Sequence, residues 1–129
     1  MKSVVCFDSA GASYAIPVEQ TRQIVLATDL VALPDPLPGV AGILPTDLEP
    51  LTVLALFGDA GGYIIVAHDG EQAFGLLVDD VLGLVRAEDA TISTAPLGQR
   101  DELITGLIET PVGSRLLVDA VTLARRLVA

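Results

Sequence analysis

The sequence predicts an all-β protein built from two half-barrels, and three observations lead to this prediction. Short apolar runs bounded by Gly, Pro, Asp or Ser recur along the chain, as in barrels and sandwiches. The run Phe74–Val78 lacks any alternation of apolar and polar residues, which is typical of a strand buried on both faces. In addition, one pattern of residues occurs twice.

The repeated pattern joins Tyr14–Val25 to Phe74–Val85, which read YAIPVEQTRQIV and FGLLVDDVLGLV. In a gapless alignment two valines coincide, and aromatic, acidic and aliphatic residues fall on residues of the same kind. Each copy contains an apolar strand, an acidic corner and a second apolar segment. Such self-similarity suggests two half-barrels related by a pseudo-two-fold axis.

Size and composition fit one domain over residues 1–129, because 51% of the residues are hydrophobic and can form a sizeable core. Seventeen acidic and seven basic residues give a net charge of −10, which aids solubility and repels nucleic acid and anionic membranes. Cys6 is the single cysteine, so we expect no disulfide framework and a cytoplasmic location. No segment has the length of a signal peptide or a membrane span, and we expect no membrane insertion.

The order of elements is dominated by strands, with at most two short helices. Pro17 can begin one helix with Val18, Ile24 and Val25 on its apolar side, and Asp119 can cap a second over Ala120–Val128. The three prolines of Leu33–Gly39 indicate a stiff connector. The predicted strands are Val4–Ser9, Ser13–Ile16, Val40–Leu44, Leu51–Phe57, Tyr63–Ala67, Gln72–Val78, Ile104–Thr110 and Arg115–Val118. The predicted core includes Ile16, Phe74, Leu76, Val78 and Leu117.

Residues that often carry chemistry form no catalytic or metal-binding pattern. Asp79 and Asp80 could be read as a carboxylate pair, but adjacent strand residues point to opposite faces, and caps are the better interpretation. His68 precedes Asp69-Gly70 in a predicted turn, and Cys6 lies in an apolar strand without an activating partner. We therefore predict no catalytic residue, no metal and no cofactor.

Four segments of the chain resemble the CheW-like domains of bacterial chemotaxis. Tyr14–Val25 resembles the family element ALPVxxVxEI, and Leu33–Leu44 resembles its Pro-rich connector leading into a GVINLRG strand. Gly75–Arg86, GLLVDDVLGLVR, is similar to the signature GLLVDxVxxVxR and is the most specific match. Ile104–Leu123 resembles the closing element of the family, and the four segments follow the family's order over nearly the whole chain.

The resemblance implies two SH3-like five-stranded β-barrels with short helices and a non-enzymatic adaptor. CheW-like domains couple the regulatory domain of a CheA-type histidine kinase to the cytoplasmic tips of chemoreceptors. By this resemblance, the half that contains Gly75–Val85 is expected to bind the kinase. The residues expected at partner contacts are Asp47, Leu48, Leu44, Gly75, Leu77, Val78, Asp79, Val81 and Val85.

The chain departs from the family pattern after its third predicted strand, Val40–Leu44. In a gapless alignment the family's signalling Arg falls on Asp47, and the following Gly falls on Leu48. An acidic residue of the first half is replaced by Ala55, whereas its counterpart in the second half is retained as Asp119. Receptor contact is therefore expected to be weak, absent or directed to an altered partner.

Two classes of function remain open. An adaptor would expose an apolar patch on a barrel end, whereas a small-molecule sensor would hold a closed pocket with convergent polar groups. A divergent scaffold that no longer contacts receptors is the variant of the first class that the substitution at Asp47 favours.

Overall fold

Strands make up most of the chain in the computed structural model, which describes residues 1–35, 37–58, 60–94 and 104–125. The predicted all-β class is confirmed. Three short 3₁₀ turns lie at Val18–Gln20, Ala27–Asp29 and Ala87–Asp89. The elements are β1 (Ser3–Ser9), β2 (Ala12–Pro17), β3 (Thr21–Leu26), β4 (Val40–Leu44), β5 (Leu51–Leu54), β6 (Tyr63–His68), β7 (Ala73–Val78), β8 (Asp80–Arg86), β9 (Thr91–Ser93), β10 (Ile104–Thr110), β11 (Gly113–Val118) and helix α1 (Ala120–Ala124).

The strands form two barrel-like sheets consistent with SH3-like architecture. Sheet A has the order β8-β1-β2-β11-β10-β9, and sheet B has the order β3-β6-β7-β5-β4. Sheet B has the five strands that the resemblance implied, whereas sheet A gains a sixth because Thr91–Ser93 pairs with β10. In sheet B, a single bridge between Val31 and Ile43 stands where sheet A has β9.

The chain passes from one sheet to the other twice, and this exchange leaves β3–β7 in sheet B and β1, β2 and β8–β11 in sheet A. β3 follows β2 in the sequence but pairs with β6 in sheet B, and β8 follows β7 but pairs with β1 in sheet A. In each sheet the one parallel pair among the described strands lies at the corresponding place, β2–β11 in sheet A and β5–β7 in sheet B. Each sheet is therefore completed by a strand that follows a strand of the other sheet.

Matching β-bulges show that the repeat extends to single residues. Arg22 is left without a partner where β3 pairs with β6, and Leu82 is left without one where β8 pairs with β1. Ala41 in β4 and Thr105 in β10 form a second matching pair of bulges. Bulges bend a strand and increase its twist, so their repetition gives the two sheets the same curvature.

The main core lies between residues of both halves and includes four of the five predicted core residues. Ile16, Phe74, Leu76 and Val78 are fully buried. Leu117 is only half-buried, because it packs on a smaller cluster built on Val4, Cys6, Ala15 and Ile108. An aromatic group of Phe7, Tyr14 and Phe57, with ring centroids 4.6–5.3 Å apart, fills one part of the main core.

The helix predicted after Pro17 ends within one turn. Ile24 and Val25 lie in β3, because this β-branched segment pairs with β6 instead of continuing the 3₁₀ turn. The second predicted helix begins at Ala120, where the Asp119 carboxylate accepts a hydrogen bond from the Thr122 N–H at 3.2 Å. The end of that prediction, from Arg126 to Val128, lies outside the described residues, as does Pro36 of the connector. The rest of Leu33–Gly39 has no regular structure.

A buried arginine ties β11 to the first hairpin. Arg115 Nη1 donates to Asp8 Oδ1 at 2.8 Å and to the carbonyl oxygens of Phe7 and Tyr14 at 3.2 and 3.3 Å. The Arg115 side chain is 3% exposed, whereas that of Asp8 is 41% exposed. Arg115 Nε has no hydrogen-bond partner, so the buried charge depends on Asp8 and two carbonyls. Leu51 occupies the corresponding place in sheet B, which is apolar.

We predict that Gly42→Ala lowers the free energy of unfolding by about 1–3 kcal/mol, because a methyl group there would stand 2.3 Å from the Val31 carbonyl oxygen. Gly62→Ala is the control, since its methyl group would meet the nearest atom, Asp79 O, at an ordinary 3.7 Å. Urea unfolding followed by circular dichroism measures both variants. Equal stability of the two would contradict the close approach of the chain at Gly42.

We predict that Asp8→Ala lowers the free energy of unfolding by about 3 kcal/mol, because it leaves the buried Arg115 cation without its counter-ion. The double variant Asp8→Ala/Arg115→Leu is expected to recover much of this loss, since a buried pair can be replaced by apolar packing like that of Leu51. Chemical unfolding of the four species of this double-mutant cycle is the measurement. Additive losses would exclude the proposed coupling.

Candidate partner-binding surface

Two edge strands, β8 and β3, expose apolar side chains to solvent. β8 is an edge strand of sheet A and presents Leu82 and Leu84, which are 46% and 65% exposed. β3 is an edge strand of sheet B and presents Ile24 and Leu26, which are 42% and 58% exposed. Exposed apolar groups next to unpaired backbone groups of an edge strand favour contact with another protein.

A β-bulge at Leu82 interrupts β8, and the valines on either side of it point to opposite faces of sheet A. Val81 and Val85 are half-buried and pack on the two clusters that contain β1. Leu82, at the bulge, and Leu84 are exposed. The strand is bounded by Asp80 and Arg86, both exposed. We define the β8 edge as the residues Asp80–Arg86.

The two carboxylates at the start of β8, those of Asp79 and Asp80, accept hydrogen bonds from backbone N–H groups. Asp79 Oδ2 accepts a hydrogen bond from the Ala10 N–H at 2.9 Å, at a turn where Ala10 has a φ of 50°. Asp80 Oδ1 accepts from the Val81 N–H at 2.9 Å. Each carboxylate thus has its own backbone donor, in agreement with the capping interpretation.

Four of the nine residues predicted at partner contacts lie in the interior. Leu44 ends β4, and Gly75, Leu77 and Val78 belong to β7, the central strand of sheet B; all four are buried. β7 lies between two neighbouring strands and is buried on both faces, and Leu44 packs on the cluster that contains Leu51 and Leu77, so these four residues pack within the chain. The retained residues are Asp47, Leu48, Asp79, Val81 and Val85.

The retained residues do not form one continuous element. Asp47 and Leu48 lie in the connection between β4 and β5 at an edge of sheet B, and Leu48 is 96% exposed. Asp79, Val81 and Val85 lie in or beside β8, at an edge of sheet A. The fold therefore places the two groups on different sheets, as two separate candidate surfaces.

A groove of about 710 Å³ runs beside the Pro-rich connector. Leu33, Leu37, Leu51 and Leu54 are among its apolar lining residues, and Leu37 at its rim is exposed. Its charged lining groups are the carboxylates of Asp35 and Glu49. This open groove differs from the closed pocket with convergent polar groups that a small-molecule sensor requires.

Two further residues with potentially reactive side chains have structural roles: Cys6 packs in the core, and Asp69 holds a turn. Burial raises the pKa of the Cys6 thiol, an effect that Arg115 partly opposes and Asp8 reinforces. Hydrogen bonds from the Gln72 and Glu71 N–H groups lower the pKa of Asp69, whose carboxylate closes the hairpin turn. Across 1–35, 37–58, 60–94 and 104–125, no three His, Cys, Asp or Glu side chains are grouped as a metal ion requires.

None of the helices among the described residues has the length and apolar character needed to cross a bilayer.

Leu82, Leu84, Ile24 and Leu26 were missed as candidate contacts. Their signal in the sequence is an apolar residue at every second position of a short segment whose remaining apolar residues face the core. Because both faces of such a segment are apolar, the pattern alone resembles that of a buried strand. Only the sheet order identifies β3 and β8 as edges.

Comparison with known proteins gives a family and a fold. The family model of the CheW-like domain matches residues 3–127. Among solved structures, the chain is similar to the scaffolding protein TtCheW from Thermoanaerobacter tengcongensis, with a TM-score of 0.76 and 19% sequence identity over 91% of this chain and 88% of that chain. No curated protein matches the sequence. The family is one of chemotaxis scaffold and adaptor proteins. The match over residues 3–127, together with the shared fold, means that this chain belongs to the CheW-like domain family.

Proposed function

We propose that this protein is a non-enzymatic adaptor that couples a CheA-type histidine kinase to its signalling partners in the cytoplasm. The observation that carries the proposal is the exposed apolar β8 edge on a chain of the CheW-like family. An adaptor needs such a surface, whereas an enzyme needs a converging set of reactive groups. Among the described residues, the candidate reactive groups Cys6, Asp79 and Asp80 are occupied with packing or backbone capping.

The kinase regulatory domain is proposed to bind at the half that contains β7 and β8. β7 and β8 are consecutive in the sequence but lie in different sheets; the residues of β7 from Phe74 to Val78 are buried, so β8 is the part of this half that is open to a partner. β8 then presents Leu82 and Leu84 to solvent between the charged residues Asp80 and Arg86. An apolar centre within a polar rim is the usual arrangement of a specific protein interface.

The charge of the chain favours selectivity at this surface. With a net charge of −10, the protein repels acidic partners unless local contacts compensate. Arg86 supplies a local positive charge beside the exposed leucines, although it shares this charge with Glu88 at 3.4 Å. A partner that places an acidic group near Arg86 and an apolar group over Leu84 would match both features.

Receptor contact is proposed to be weakened or redirected at the β4–β5 connection. Asp47 and Leu48 are exposed there, between Pro45 and Pro50. Thr46 Oγ1 accepts hydrogen bonds from the Leu48 and Glu49 N–H groups at 3.3 and 3.1 Å, which gives the connection a defined turn. A carboxylate accepts hydrogen bonds only and cannot replace the donors of an arginine at this place.

We predict that Leu82→Lys weakens binding to the regulatory domain of the cognate kinase by about tenfold, or about 1.4 kcal/mol, because it places a charge in the apolar centre of the interface. Ile24→Lys, a change at an exposed apolar position on the edge of the other sheet, serves as the matched control. Isothermal titration calorimetry measures both. Absence of heat and of co-elution for the unmodified chain at high micromolar concentration would refute kinase binding.

We predict that Asp47→Arg/Leu48→Gly strengthens binding to a fragment of the cognate receptor tip by at least about tenfold, since losing one partner of an interfacial charge pair costs about 2–5 kcal/mol. Both residues are exposed, so the fold should be unchanged. Fluorescence anisotropy of a labelled receptor fragment provides the affinities, with Asp47→Asn as a variant that removes charge without adding donors. If the unmodified chain already binds as tightly as the double variant, receptor contact lies elsewhere.

A further inference from the structure

Two segments that are separate in the sequence line the groove beside the Pro-rich connector, which we call the connector groove. The connector contributes Leu33 and Leu37, and β5 contributes Thr52 and Leu54. Leu54 is 1% exposed, whereas Leu37 is 70% exposed, so the groove has an apolar base and an apolar rim. A partner that covers these side chains would remove apolar surface from water, which favours binding.

The size of the connector groove suits part of a polypeptide. Its volume of about 710 Å³ is far larger than a packing defect in a protein interior. Pockets that bind ligands typically have volumes of about 300–1,000 Å³. Because the groove is open to solvent beside the exposed Leu37, a larger molecule can place several side chains in it while the rest of that molecule stays outside.

The backbone around the connector groove offers few hydrogen-bonding groups to an extended peptide. β5 lies between β4 and β7, and the lining residues Pro38 and Pro50 have no N–H group. The carbonyl oxygens of Leu37 and Gly39 already accept hydrogen bonds from backbone N–H groups, at 3.0 and 2.8 Å. A segment that binds here must therefore satisfy its own backbone groups, as an α-helix does.

The charge of the connector groove is negative. Among its described lining residues the charged side chains are those of Asp35 and Glu49, both exposed carboxylates. Within the described part of the chain, no ion pair involves either carboxylate. Asp47 and Glu71, which are close to lining residues in the sequence, are also exposed acids. A partner with cationic side chains would therefore be attracted to this groove, and an anionic partner would be repelled.

We propose that the connector groove binds a basic amphipathic α-helix of another protein. The apolar stripe of the helix, with residues at i, i+3, i+4 and i+7, would lie against Leu37 and Leu54. Lys or Arg side chains beside the stripe would reach the carboxylates of Asp35 and Glu49. Docking of an amphipathic helix in an apolar groove is a recurring mode of recognition, and complementary charges fix the orientation of the helix.

Other occupants fit the connector groove less well. A second copy of this chain would bring the same net charge of −10, and nucleic acid would bring its phosphates, so the carboxylates would repel both. Helix binding does not depend on kinase binding at the β8 edge, because that edge belongs to sheet A, whereas β4 and β5 of sheet B line the groove. Either contact could therefore be absent without affecting the other.

A synthetic peptide of leucine and lysine tests the proposal on the purified full chain. The peptide is about 15 residues long and carries its leucines at helical spacing. Fluorescence anisotropy of the labelled peptide is expected to show saturable binding at an ionic strength of about 0.15 M. Two comparison peptides are expected to bind at least about tenfold more weakly. One has the same composition with leucine at every second position, and the other keeps the helical pattern with glutamate in place of lysine.

Charge variants of the chain locate the peptide. Asp35→Asn/Glu49→Gln is expected to weaken binding of the leucine–lysine peptide by about tenfold, because it removes both carboxylates of the groove. Glu88→Gln/Asp89→Asn is the matched control. It removes the same charge from an exposed turn outside the groove and should leave the affinity unchanged.

Leucine variants test the apolar contact. Leu37→Ser is expected to weaken binding of the leucine–lysine peptide by about tenfold, because it removes the apolar side chain at the rim of the groove. Leu84→Ser is the matched control, since Leu84 is 65% exposed but lies on β8. Circular dichroism checks that both variants are folded. An equal loss of affinity in the two would place the peptide outside the groove.

Four further results would overturn the proposal. The first is the absence of saturable binding by a chain that circular dichroism shows to be folded. The second is an equal loss of affinity in the two charge variants, which would indicate a general attraction to an acidic protein. The third is equally tight binding of the peptide with alternating leucines, which would indicate an extended occupant. The fourth is self-association in sedimentation equilibrium that Leu37→Ser abolishes, which would make a second copy of the chain the occupant.

Discussion

The chain passes twice between its two sheets, so that β1 and β2 share sheet A with β8–β11 while β3–β7 form sheet B. The chain leaves sheet A after the turn Val18–Gln20 and forms β3, which pairs with β6. It leaves sheet B after Asp79 and forms β8, which pairs with β1. Because of this exchange the main core combines residues of both halves, from Phe7 and Ile16 to Phe74 and Leu123. Neither half can bury its apolar strands without the other, so the core is shared.

The same exchange determines which surfaces are available to partners. Among the described strands, β3 and β8 each have one neighbour, so each lies at the edge of its sheet. The edges β3 and β8 are therefore consequences of how the core is built. A protein that acts through contacts can place its recognition residues there without disturbing the interior, since substitutions at Leu82 or Ile24 affect exposed positions.

The two halves keep the same framework and differ where function or stability requires it. Matching bulges at Arg22 and Leu82 preserve the curvature of the edges, but the residues at the bulges differ in charge. Arg115 brings a buried cation into sheet A where Leu51 keeps sheet B apolar. The β8 edge, for which kinase binding is proposed, carries a leucine where the β3 edge carries an arginine.

Sequence alone determined the features that depend on local pattern. The apolar run Phe74–Val78 predicted a strand buried on both faces, and Asp119 predicted the start of α1; both predictions are confirmed. The internal repeat also led to the two barrel-like sheets, and the motif in Gly75–Arg86 led to the family. Strand alternation and capping involve neighbours within a few residues, which is why they can be read from one sequence.

Only the tertiary structure decided which strands pair and which residues face solvent. Leu44, Leu77 and Val78 were predicted at partner contacts but are buried, and Leu117 was predicted in the core but is half-buried. The helix expected to contain Ile24 and Val25 is a strand, because β6, far away in the sequence, offers it a ladder. An apolar segment has the same pattern at a sheet's centre and at its edge. A central strand has a neighbouring strand on both sides, whereas an edge strand has one. Which strands lie at the edges is decided by the points at which the chain passes from one sheet to the other, before β3 and before β8.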